Sequence, residues 1–161
     1  MSIIESDLNM AYPDSMKRKD IETRMAAWDS DSEFIQDVRT RVFVVEQHVP
    51  IDLERDGKDP QMIHVLAFAG FKAVGTARMS LEGHIGRVAV IHEYRGNNIG
   101  ALMMDKLENQ ALTLPMDWVH LNAQTHAQGF YQRRGYVQEG GIFDEAGIPH
   151  IHMKKYIAKS L

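Results

Sequence analysis

There is no cysteine anywhere in the 161 residues. That absence excludes a disulfide scaffold, a cysteine zinc site, an iron–sulfur cluster and a thiol nucleophile together. Positive charge is not in excess either. Eighteen Lys+Arg against 22 Asp+Glu leave a net charge of −4, so the broad basic footprint of a nucleic-acid-binding chain is missing. No apolar run approaches the length of a membrane-spanning helix. Residues 1–15 carry Glu5, Asp7 and Asp14 and lack the basic start and apolar middle of a secretory leader. What remains is 44% hydrophobic and 25% charged, the composition of an ordinary globular chain with one core. The expectation is a cytoplasmic protein with neither nucleic acid nor membrane as partner. Residues 1–15 are read as an N-terminal extension and 16–161 as one domain.

Between Lys17 and Trp28, Ile21, Thr23, Met25 and Ala27 alternate with Asp20, Glu22 and Arg24, a strand pattern. Ser30 and Glu33 are spaced as a capping box, and Phe34, Val38, Val42 and Val45 follow as one apolar helical stripe. Glu46 to Pro60 reads as loop or short irregular helix rich in acids. Met62–Ala69, Ala73–Ser80 and His84–Val90 are strands, with a tight turn at Glu82-Gly83. Gly100 to Thr113 is an amphipathic helix stopped by Pro115, in which Met103 and Met104 are core packing. A strand at Val119–Ala123 and a short helix at Ala127–Arg134 ended by Gly135 come next. Strands at Tyr136–Gln138 and His150–Tyr156 flank a loop holding Gly140, Gly141, Gly147 and Pro149. The order is mixed α/β around a single sheet.

The third of the adjacent strands runs into Arg95-Gly96-Asn97-Asn98-Ile99-Gly100, and a helix follows directly. Turn-tolerant residues at a helix entry leave backbone N–H groups pointing outward, a site fit for a pyrophosphate. A plain strand–helix connection would look the same. A phosphate loop of the Gly-Lys-Ser/Thr kind is excluded, and a dinucleotide fold is disfavoured because hairpin strands precede the loop.

Downstream stand Asn122-Ala123-Gln124 and Phe130-Tyr131-Gln132-Arg133-Arg134-Gly135-Tyr136. With the loop at Arg95, Ile99 and Gly100, the chain resembles the GNAT superfamily of acetyl-CoA-dependent N-acetyltransferases. Val42–Gln47, His64, Gly75–Arg78, Ile85–Val88 and Gly147–His150 make it similar to the branch that contains ElaA and YjcF. The resemblance implies a mostly antiparallel sheet of six to seven strands, splayed between the fourth and fifth, with about four helices. It implies acetyl-CoA as cofactor, held by Val88, Ala89 and Val90 along the thioester. Arg95, Gly96, Asn97, Asn98, Ile99, Gly100 and Ala101 would hold its pyrophosphate, and Asn122, Phe130 and Tyr131 its arm. Tyr131 would protonate the leaving thiolate, and the acetyl group would pass directly to a small-molecule amine. Many members dimerise, so a homodimer is a candidate assembly. The chain departs from the motif at Asn98, where the family has glycine; asparagine is the side chain best suited to positive φ there.

For the acceptor site the candidates are Glu46, Gln47, His64, Arg78, Arg87, Gln124, His126 and His150, with Glu46 or a water chain as general base. A two-residue turn at Glu82-Gly83 would set Arg78 directly opposite Arg87. Like charges so placed need anionic company, either a structural ion-pair network or a substrate carboxylate. The acidic run of Asp52 to Asp59 could attract a cationic amine. His150 and His152 share a strand face without a third ligand placed by spacing, so no metal is expected. The competing functions are a non-catalytic acyl-CoA-binding domain and a protein-interaction domain of the same fold.

Overall fold

The computed structural model describes residues 2–3 and 20–157. The strands are β1 (Ser2–Ile3), β2 (Ile21–Ala26), β3 (Ile63–Ala69), β4 (Lys72–Met79), β5 (His84–Val90), β6 (Trp118–Gln124), β7 (Val137–Glu145) and β8 (Ile148–Tyr156). The helices are α1 (Trp28–Arg39), continued as a π-helix over Thr40–Glu46, then α2 (Ile51–Glu54), α3 (Ile99–Ala111) and α4 (Gln128–Arg133). One sheet runs in the order β2-β3-β4-β5-β6-β8-β7. Along this path every neighbouring pair is antiparallel except β5 and β6. Those two, the fourth and fifth strands of the path, are parallel and pair only through His84 with His120 and Ile85 with Leu121. Beyond Ile85 they diverge into a wedge. The expected mixed α/β fold, its seven-strand path, its splay and its four helices are all present. The expected extension over residues 1–15 lies outside the described residues apart from Ser2 and Ile3, which pair in parallel with Val88 and Ala89 of β5.

The two faces of the sheet carry different chemistry. Residues directly opposite in a strand pair share a face. Gly75 of β4 faces α3 so closely that an added Cβ would lie 3.0 Å from Ile99 and from Met103. The apolar stripe Ile99, Met103, Met104, Leu107 and Ala111 is buried against that face. Each such side chain contributes on the order of 1.5–3 kcal/mol. Lys155 of β8 and Tyr136 both reach Glu108 of α3, which puts α4 and its Tyr131 on the same side. The opposite face carries α1 and the π-helix. It also carries a polar row, since Asn122 pairs with His152 and Gln124 with His150.

Three local expectations are corrected. Helix α1 starts at Trp28, ahead of Ser30. Its entry is held by Asp31, which accepts the Ala27 N–H at 3.0 Å and both arms of Arg24 at 2.9 Å, so Ser30 and Glu33 form no capping box. The stripe past Val38 is not the expected one. In the π-helix, Gln47 N–H donates to Val42 five residues back, and the wider turn buries Val42 and Phe43 while Val45 stays exposed; Phe34, earlier in α1, is exposed as well. Gly140 and Gly141 are not a loop between strands. They form a bulge inside β7, where the pairing jumps between Gln138 and Ile142, and the chain reverses at Ala146-Gly147.

Candidate active site

The β4–β5 hairpin departs from the expected register. Arg78 pairs with Gly86, whereas Thr76 pairs with Ala89, so Arg87 and Val88 together stand opposite Ala77. Arg87 is thus a bulge residue with φ +52° and does not face Arg78 across the strands. The turn is longer than two residues, because the Ser80 N–H donates to the His84 carbonyl and the Gly83 N–H to Ser80. A bulge leaves one residue out of the ladder and re-aims the backbone. This one sits on β5 where the wedge opens.

Both arginines nevertheless find anions. Arg39, 1% exposed, donates to Glu54 at 2.6 Å and to Asp59 at 2.6 Å. Arg78 bonds Asp59 at 2.8 Å and forks onto Asp56, and Arg87 bonds Glu54 at 2.9 Å. Against the cost of burial, the Arg78 fork holds Asp56 well below the usual carboxylate range. Three guanidiniums and three carboxylates cancel here, locking α1, α2, β4 and β5 together. Glu54, Asp56 and Asp59 of the acidic run are thereby neutralised locally. Arg78 and Arg87, expected at the acceptor pocket, are both engaged in this network. His64 is enclosed nearby. It is 1% exposed, stacks on Trp28 and has Nε2 2.8 Å from the Asp59 carbonyl, and burial lowers its pKa. The buried Arg39 was not foreseen, and nothing in the sequence near it marks an ion-pair centre except the acids 15 and 20 residues downstream.

A second group of candidates does converge. Glu46 ends the π-helix, and both its oxygens receive Arg95 at 2.7 Å, while Arg95 Nε donates to the Val90 carbonyl at 2.9 Å. Arg95, expected beside a pyrophosphate, instead fixes Glu46 to the end of β5. Gln47 and Gln124 exchange amide hydrogen bonds at 2.7 and 3.0 Å, and His126 Nε2 lies 2.7 Å from Gln124 Oε1. The end of the π-helix is thereby tied to the end of β6 across the mouth of the wedge. Beside Glu46 a cleft of about 530 Å³ is lined by Arg41, Val42, Val45, Ile91, His92 and Glu93, which accounts for the exposure of Val45. His150 is buried on β8 behind Gln124.

At the far end of β5 the loop fulfils the expected geometry. Gly96 has φ +83°, and Asn98, at the N-cap of α3, has φ +62° and ψ 15°. Asn97 latches the loop by donating to the carbonyls of Tyr94 and Arg95 at 3.0 Å. The helix start leaves the first-turn N–H groups facing outward. Asn122 lies just past the last β5–β6 pair, and Tyr131 is buried on the α3 side, edge-on to Phe130 and Tyr136. Among the described residues no group of three His, Asp or Glu could hold a metal ion, and no helix is long and apolar enough to cross a membrane.

An open wedge between two parallel strands, a bulge on one of them and a turn-led helix N-terminus at its end form the frame of a known family. Residues 19–157 match the Acetyltransferase (GNAT) domain. The uncharacterised N-acetyltransferase YjcF of Bacillus subtilis is 37% identical over 122 residues, covering 73% of this chain and 87% of that protein. The crystal structure of Escherichia coli ElaA superposes with a TM-score of 0.75 at 32% identity, over 84% of this chain and 99% of that one. An acyl-CoA N-acyltransferase from Pseudomonas aeruginosa superposes with a TM-score of 0.74 at 28% identity, over 84% and 99% of the two chains. This chain belongs to the GNAT acetyltransferases and is an acyltransferase.

Proposed function

We propose that the protein transfers the acetyl group of acetyl-CoA directly to the primary amine of a small molecule. The observation that carries this reading is the β5 bulge at Arg87-Val88, opening onto the wedge with the N-terminus of α3 at its far end. The residues fit the cofactor. The backbone N–H groups of Gly96 to Ala101, gathered by the positive φ of Gly96 and Asn98, suit its pyrophosphate. The edge of β5 at Val88 and Ala89 already pairs with an extended segment, so it can bond an extended pantetheine arm, with Asn122 and Phe130 alongside. When bound, acetyl-CoA supplies an activated thioester acetyl group.

The protein's own groups then divide the work by face. Main-chain N–H groups along Val88 to Val90 stabilise negative charge developing on the acetyl oxygen. Tyr131, on the α3 side, holds a phenol proton for the leaving sulfur. Glu46, Gln47, Gln124 and His126, on the α1 side, wall the acceptor, and Arg95 keeps Glu46 rigid. The test is thiol release from acetyl-CoA with spermidine, L-lysine, tyramine and kanamycin as acceptors. At least one amine is expected to turn over. Tyr131→Phe, which keeps the aromatic packing, is expected to lower kcat by about 10²–10⁴-fold with coenzyme A affinity retained. A chain that binds coenzyme A in calorimetry yet acetylates no amine is a binding domain instead.

A further inference from the structure

A primary ammonium must lose two protons to become an amide, so the acceptor side of the wedge needs a group that takes a proton and passes it to water. Glu46 has both oxygens on Arg95. Of the three imidazoles expected there, His64 is 1% exposed and His150 0%, whereas His126 is exposed. It sits in the short helical turn Thr125–Ala127, which joins the end of β6 to α4 and its Tyr131. Counted from the last β5–β6 pair, Ile85 with Leu121, Val88 and Gln124 each lie three residues on. Gln124 therefore stands across the open wedge from the β5 bulge, and His126 follows two residues later.

The tautomer of His126 follows from the amide it touches. Gln124, 0% exposed, donates from Nε2 to Gln47 Oε1 at 3.0 Å, and its Oε1 accepts from Gln47 Nε2 at 2.7 Å. The same Oε1 lies 2.7 Å from His126 Nε2. An amide oxygen only accepts, so Nε2 carries the proton and Nδ1 presents the lone pair. His126 makes no other side-chain hydrogen bond among the described residues, which leaves Nδ1 open. Partial burial, and then Arg95, lower its pKa below the ordinary imidazole value, while Glu46 pulls the other way. The charged groups facing it are Glu46 on the π-helix and Arg95 after β5. Gln47 and Gln124 are uncharged, and burial holds His150, opposite Gln124 on β8, toward its own neutral form.

We propose that His126 is the catalytic base for the acceptor amine and takes both of its protons in turn at Nδ1. The proposal rests on the acetyl-transfer reading. Nδ1 takes the first proton from the ammonium, and the electron pair of that N–H bond stays on nitrogen as the attacking lone pair. The exposed imidazolium hands this proton to water, so Nδ1 is bare again. As the carbon–nitrogen bond forms, the nitrogen turns cationic once more, and Nδ1 takes the second proton. Tyr131, on the opposite face, gives its proton to the sulfur, which keeps the electron pair of the broken carbon–sulfur bond. Water then removes the second proton from His126 and returns one to Tyr131. One ammonium and one thioester thus give one amide, one thiol and one released proton. Gln124 Oε1 keeps the Nε2–H of the ring through the cycle, and the Glu46 carboxylate favours each imidazolium as it forms.

His126→Ala in the full chain is the test, at pH 7 with the most active amine of the panel above. The expected kcat loss is about 10²–10⁴-fold, with coenzyme A affinity by calorimetry unchanged and activity partly restored by added imidazole. His126→Gln, which can still donate to Gln124, is expected to lose as much, because an amide takes up no proton at this pH. Nitrogen NMR of the wild-type chain should show His126 protonated at Nε2 and bare at Nδ1. A kcat within threefold of wild type in either variant, an alanine loss that imidazole does not restore, or His126 bare at Nε2 overturns the proposal. A wild-type chain that acetylates no amine overturns the acetyl-transfer reading instead, so the two failures are distinguishable.

Discussion

Asn98 holds the left-handed conformation that starts α3, at φ +62°. A branched side chain there would meet the backbone clash that makes this region costly for L-residues. Asn98→Val is expected to destabilise the fold by about 1–2 kcal/mol and to weaken coenzyme A binding, whereas Asn98→Gly should match or exceed wild type in both. Urea denaturation with calorimetry checks this, and equal urea midpoints for Val and Asn would show that the left-handed geometry is not needed. Asn98 was legible in the sequence because positive φ restricts residue type locally. Arg39 and His64 were not, because their places depend on what packs around them. His64 looked like a pocket residue in an apolar strand, and only Trp28 and the Asp59 carbonyl show it to be enclosed.

Strands β5, β6 and β8 are joined by imidazoles at the closed end of the wedge. His84 Nδ1 lies 3.1 Å from His120 Nδ1, and the His120 and His152 rings are 5.5 Å apart. One Nδ1 must accept from the other, so protonating both breaks the contact. Burial, and then the neighbouring His120, push the His84 pKa down to about 4. In the unfolded chain it titrates near its ordinary 6.5. Between those values the unfolded chain binds more protons, so stability falls as pH drops from 6.5 toward 4. The shift corresponds to on the order of 3 kcal/mol. Urea midpoints at pH 7 and pH 5 should therefore separate for wild type and separate less for His84→Gln; an equal separation in the two would remove the assignment to His84. Elements as such were readable from the sequence, which gave the strands from β2 to β8, β7 over its first two residues only, and the long helices. Register was not. One extra residue on β5 moved Arg87 out of opposition with Arg78, and one wider helical turn moved Val45 out of the core. Both changes follow from hydrogen-bond choices that leave no mark on hydrophobic spacing.

At the scale of the whole molecule, the sheet is continuous except where β5 leaves β6, and the family's chemistry depends on that gap. The splay was legible in advance only through the family resemblance that the motifs carry. What occupies the gap was not legible. Ser2 and Ile3 lie in parallel against Val88 and Ala89, on the edge of β5 that β6 has vacated. Backbone groups on one edge serve one partner at a time, so β1 and a pantetheine arm bonded to Val88 and Ala89 exclude each other. Releasing a two-residue strand gives up a few backbone hydrogen bonds at about 1 kcal/mol each, so cofactor binding must work against that cost. A chain beginning at Met16 is expected to bind coenzyme A roughly tenfold tighter, a difference of about 1.4 kcal/mol, and to show a lower KM for acetyl-CoA at unchanged kcat. Hydrogen exchange at Val88 and Ala89 should quicken in the shortened chain and slow again when coenzyme A is added. Equal coenzyme A affinity in the two chains would mean that β1 and the cofactor do not share this edge.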